Sequence, residues 1–132
     1  MLKKTVAQSN RAKVVIMDSI TKVAPEDKGD IVISASHGGA SSGEFALQVP
    51  LFLVFFNDAG VGKDNAGIVA LEMLQSCKVA AGTTSHVSAR IGDSADMWEN
   101  GVISHLNKEA ETLGLKTGTR LSAAIQALLE KH

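Results

Sequence analysis

The chain has 132 residues, with 45% apolar and 20% charged side chains, the balance of one soluble globular domain. Thirteen Lys and Arg stand against fourteen Asp and Glu, so no basic excess exists to neutralise a nucleic-acid backbone. The single cysteine, Cys77, excludes a disulfide framework and any multi-cysteine zinc site, and no apolar run approaches a membrane span.

The start, Met1-Leu-Lys-Lys-Thr, is basic without an apolar segment behind it, so no secretory signal is read and a cytoplasmic protein is expected. Lys3, Lys4, Arg11 and Lys13 suggest a flexible, solvated tail of roughly twelve residues. Lys13–Met17 reads as a first strand. Ala24–Gly29, with Pro25 at a helix-start position, reads as one helical turn or as the loop of a hairpin. Asp30–Ser34 is a second strand, followed by Ser36, His37, Gly38 and Gly39. Ser41–Val49 suits a helix capped by Ser41 or Ser42, with Glu44 at capping-box spacing and Pro50 as its stop. Leu51–Phe56 is continuously apolar, as a central strand buried on both faces requires.

Asp64 is placed to cap a helix over Asn65–Ser76, apolar nearly all round and so expected to be deeply buried. Lys78–Ala81 reads as a short fourth strand. Asp93 or Ser94 caps a helix running through Trp98, which Gly101 interrupts or ends. Val102, Leu106, Ala110 and Leu113 fall on one helical stripe, with Gly114 at a stop position; His105, Asn107, Lys108, Glu109 and Glu111 then form its solvated face. Arg120–Lys131 is the last helix. Strands alternating with helices predict a single small three-layer α/β/α domain over residues 1–132, with about four mostly parallel strands.

In such sheets ligands bind beyond the carboxyl ends of the strands, and there the polar residues gather. The second strand delivers Ser36, His37, Gly38 and Gly39; the third Asn57, Asp58, Gly60, Gly62, Lys63 and Asp64; the fourth His86, Arg90 and Asp93. His37, Asp58 and His86 are the candidate catalytic groups, a carboxylate fixing the tautomer of an imidazole base. The others are candidate ligand contacts, with Lys63 and Arg90 as anion clamps. Gly60-Val61-Gly62-Lys63 is not a nucleotide-binding P-loop. Asn57 stands where the first glycine belongs, and Asp64 where a metal-binding hydroxyl belongs. What survives is a loop able to hold one anionic group through backbone N–H groups and Lys63. A metal set of His37, His86, Asp58 and Asp64 ranks lower, because no close His-x-His spacing supports it. No metal is therefore expected, and no cofactor is named by any motif.

Ile31–Gly38, an apolar strand ending in His-Gly, and Leu51–Asp58, an apolar strand ending in Asp-Ala, together resemble the caspase-like cysteine peptidases. In that family the catalytic His-Gly follows one strand and the nucleophilic cysteine the next. Gly60 stands at the cysteine's position, so peptidase activity is rejected; the resemblance implies only that His37 faces a ligand. Cys77 is expected to pack as a small hydrophobe.

The expected function is acid/base chemistry, by proton transfer or hydration, on a small anionic metabolite. The alternatives are a non-catalytic ligand-binding or sensor domain, or a structural subunit of a larger enzyme. The apolar surround of the 65–76 helix and the stripe Leu121, Ile125, Leu128 further suggest a homo-oligomer.

Overall fold

The computed structural model describes residues 2–131. Six strands form one sheet in chain order: β1 (Lys3–Gln8), β2 (Lys13–Met17), β3 (Ile31–His37), β4 (Leu53–Asn57), β5 (Ala80–Thr84) and β6 (Ile103–Leu106). β2 through β5 are parallel, and β1 and β6 pair antiparallel at the two edges. The helices are α1 (Ala40–Ala46), α2 (Val69–Ser76), α3 (Ser94–Asn100), α4 (Lys108–Thr112) and α5 (Leu121–Lys131). The result is a mixed α/β domain whose parallel centre matches the three-layer expectation. No helix among the described residues is long and apolar enough to cross a membrane.

The period-two alternation of the strands divides the core cleanly. Val14, Ile16, Ile31, Ile33, Leu53 and Phe55 face one side, where Met97 of α3 and Leu121, Ile125 and Leu128 of α5 close over them. Val15, Met17, Val32, Val54 and Phe56 face the other, against Ala46 of α1 and Ala70, Leu71 and Leu74 of α2. Phe55 and Phe56 are both fully buried, one on each face, each contributing roughly 1.5–3 kcal/mol. Because β3, β4 and β5 follow one another in space as in sequence, right-handed crossovers put α1 and α2 on the same face.

Several expectations need correction. The basic N-terminus is not a free tail: residues 3–8 form β1, and Lys3 Nζ lies 3.0 Å from the buried Asp27 carboxylate. Leu2 N–H donates to Asp18 at 2.9 Å, and Asp18 also accepts from the Ser94 N–H and hydroxyl, tying the N-terminus to α3. Residues 24–29 contain the one-turn 3-10 helix Pro25–Asp27, and the parallel pairing of β2 with β3 rules out the hairpin.

α1 begins at Gly39 with no side-chain cap, because Ser42 instead donates its hydroxyl to the His37 carbonyl at 2.6 Å. α2 is shorter than expected: Asp64 and Asn65 take left-handed φ of 56° and 60°, which an α-helix does not tolerate. Ala66, in the turn before α2, is exposed, and Cys77 just after α2 is exposed, not packed.

The largest misreading is at residues 102–113, which are not one helix. Residues 103–106 form β6, Asn107 caps the next element through Ala110 N–H at 3.0 Å, and only Lys108–Thr112 is helical. Asn107 is accordingly buried, not on a solvated face. Leu121, Ile125 and Leu128 are buried within the chain, and the large apolar side chains left exposed are Leu47 (37% exposed), Val87 (85%) and Ile91 (54%).

Candidate functional site

The parallel centre brings the ends of β3, β4 and β5 to one edge. Two strands run further than expected: β3 through Ser36 and His37, and β5 through Thr83 and Thr84. Beside them stands His105, expected on the solvated face of a helix and found in β6. β6 runs antiparallel to β5, so it starts where β5 ends, and its register sets His105 opposite Thr83.

Asp58, just past β4, is the centre of the cluster. Its carboxylate is buried, yet accepts from Gly60 N–H at 2.8 Å and from His86 N–H at 3.1 Å. The His86 Nδ1 lies 3.4 Å from one carboxylate oxygen and the His105 Nδ1 3.8 Å from the other. Burial pushes the Asp58 pKa up, but the Gly60 N–H, the Ser104 hydroxyl, the His86 N–H and the nearby His105 outweigh it. The carboxyl therefore titrates below the usual aspartate range and is ionised at neutral pH.

The backbone beneath is tightly drawn. Ala59, Gly60, Val61, Gly62, Asp64 and Asn65 all have φ between 51° and 79°. A left-handed β-branched residue such as Val61 is a true outlier, costing of order 1–3 kcal/mol. Gly67 closes the loop by packing against the Asp58 carbonyl, where any side chain would collide. The amides of 59, 60, 61 and 62 all turn inward, onto Asn57 Oδ1, Asp58 Oδ1, the Asp58 carbonyl and the Gly60 carbonyl. Of the anion-binding features expected of this loop, Lys63 is what remains exposed.

Other predicted residues have structural partners. Asn57 is fully buried and braces the β5–α3 loop, donating to the Ala89 carbonyl at 2.9 Å. Gly38 links β4 to α2 through the Asn57 carbonyl and Ala70 N–H. Gly39 is the N-cap of α1, and Asp93 caps α3 through Asp96 N–H at 3.0 Å. Arg90 is exposed, and the carboxylate near it is that of Asp96, whose oxygen accepts the Arg90 N–H at 2.8 Å.

Two recesses flank this edge. One, of about 380 Å³, holds His37 with Asp18, Ser36 and Ser41. Ser36 Oγ there accepts Ile20 N–H at 3.0 Å. The other is a groove of about 740 Å³ between α2 and β6. Its walls include His105, Ser104, Asp64, Glu72 and Lys108, and its floor Ile68, Val69 and Leu106. His86 and His105 share Asp58. No hydrogen bond or ion pair among the described residues joins the His37 side chain to that cluster. Nor does any group of three His, Cys, Asp or Glu among them have the arrangement of a metal site.

The cluster is not a Ser-His-Asp triad. A triad needs the carboxylate and the hydroxyl on opposite ring nitrogens. Here Ser104 Oγ (3.2 Å), Thr83 Oγ1 (3.2 Å) and Asp58 Oδ2 (3.8 Å) all approach Nδ1 of His105. Asp58 likewise meets His86 at Nδ1. In both rings Nε2 is the nitrogen left without a hydrogen bond among the described residues, and His105 lines the groove. No protein-family model, curated protein or solved structure matches the chain.

Proposed function

We propose that the chain is an enzyme that moves protons on a small molecule held in the groove between α2 and β6, with His105 Nε2 as general base. Asp58 is the orienting carboxylate, and His86, on its exposed side, is a second proton carrier. One observation carries this reading: a buried, ionised carboxylate lies 3.4 Å from His86 Nδ1 and 3.8 Å from His105 Nδ1, which favours the proton there and leaves Nε2 free to accept one. An anionic group on the substrate would have Lys108 on the groove wall and Lys63 beside Asp64 at its end. The apolar floor suits a short carbon chain. Proton transfer next to a carbonyl and hydration of a double bond both need such a base.

The test incubates the protein with a panel of small 2-oxo, 3-oxo and enoic carboxylates in D₂O and follows exchange and hydration by proton NMR. The proposal expects one member to react, and His105→Gln to slow it on the order of a hundredfold or more. A panel member that binds the groove without exchange or hydration favours the ligand-binding reading. Reaction unaffected by His105→Gln refutes the assignment.

A further inference from the structure

We infer that the hydroxyls of Thr83 and Ser104 are positioning groups, which together hold the Nδ1 edge of His105 so that Nε2 is presented to the groove. The inference rests on the reading of His105 as the base. The direct Asp58 to His105 separation, 3.8 Å, is too long for a hydrogen bond, so the carboxylate alone does not orient the ring. The hydroxyls fill that gap. Thr83 lies opposite His105 in the β5–β6 register and is fully buried, and its branched Cβ restricts Oγ1 to few positions. Its Oγ1 is 3.2 Å from Nδ1 and 2.9 Å from Ser104 Oγ, which is itself 3.2 Å from Nδ1.

Each hydroxyl has two acceptor lone pairs and one proton. Both oxygens can therefore accept from an Nδ1–H, while their own protons have as acceptors each other, the Thr83 carbonyl at 3.4 Å from Ser104 Oγ, and the Asp58 carboxylate, which Ser104 helps keep ionised. The opposite tautomer would aim the Nδ1 lone pair toward that carboxylate, an unfavourable arrangement in a partly buried site. The charge of Asp58 thus favours the proton at Nδ1, and both hydroxyls are placed to accept it there.

The experiment is histidine-ring ¹⁵N–¹H correlation NMR on the whole ¹⁵N-labelled chain, at a pH where the ring is neutral, with His105 assigned by loss of its signals in His105→Gln. The wild type is expected to show chiefly the Nδ1–H tautomer. The double variant Thr83→Val with Ser104→Ala is expected to shift His105 toward Nε2–H. The double variant Thr83→Ser with Ser104→Thr, which keeps both hydroxyls, should retain the wild-type pattern. Should the first pair not fold, Ser104→Ala alone, at a half-buried site, decides by the same signal. A wild-type ring chiefly in the Nε2–H form, or a tautomer unchanged by removing the hydroxyls, overturns the inference. A His105 in the Nδ1–H form that is nevertheless dispensable for exchange would refute the proposed base and leave this inference standing.

Discussion

Replacing Asp58 with Asn isolates the charge at the centre of the site. The amide keeps an oxygen to accept from Gly60 and His86 N–H, so the loop geometry survives while the charge is lost. Hydrogen bonds to a charged group contribute about 1.5–3 kcal/mol and neutral ones about 0.5–1.5, so weakening two of them costs roughly 2 kcal/mol. Because the folded pKa of Asp58 lies below its ordinary value of 3.8, its contribution is fully present above that value. The contribution is lost as pH falls through the lowered folded-state pKa. The difference between wild type and Asp58→Asn should therefore be largest at neutral pH and shrink below pH 3.8. Urea unfolding of both proteins across this range reads it directly, and contributions common to both cancel. A gap that does not change with pH, or a variant as stable as wild type at neutral pH, would refute the claim that this buried carboxylate is stabilised as an anion.

Two further substitutions separate framework from site. Asn107→Ala removes a side chain that accepts from Ala81 and Ala110 N–H and donates to the Val79 and Leu71 carbonyls, joining β6, α4, β5 and α2. With several buried polar groups orphaned, denaturant unfolding should show a loss of about 3 kcal/mol or more. His37→Ala, at an exposed strand end, should leave unfolding stability within about 0.5 kcal/mol, and a larger loss would mark a structural role.

The parallel centre was legible because each of its strands carries its own signal. Leu51–Phe56 has no polar residue at any position, as only a strand covered on both faces allows, and Lys13–Met17 is nearly as apolar. Asp58 and the gathering of polar residues at strand ends followed from that topology. His105 did not, because Val102, Leu106, Ala110 and Leu113 also satisfy a helical period, and the four-residue β6 is too short to outweigh it. The available counter-signals were Gly101, which ends α3, and Asn107, a cap just before Lys108. β1 escaped for a related reason: an edge strand rich in lysine looks like a solvated tail until a neighbour pairs with it. The pairing of His105 with Thr83 depends on strand register, which no local pattern within either segment specifies.

The most direct measurement of the central claim is chemical-shift mapping of the labelled protein with whichever carboxylate of the panel binds. The account predicts that the His105 and His86 ring signals and the methyl groups of Ile68, Val69 and Leu106 move together on titration, along one binding curve. Shifts confined to the recess around His37, Ser36 and Ile91, with the His105 ring unmoved, would contradict it.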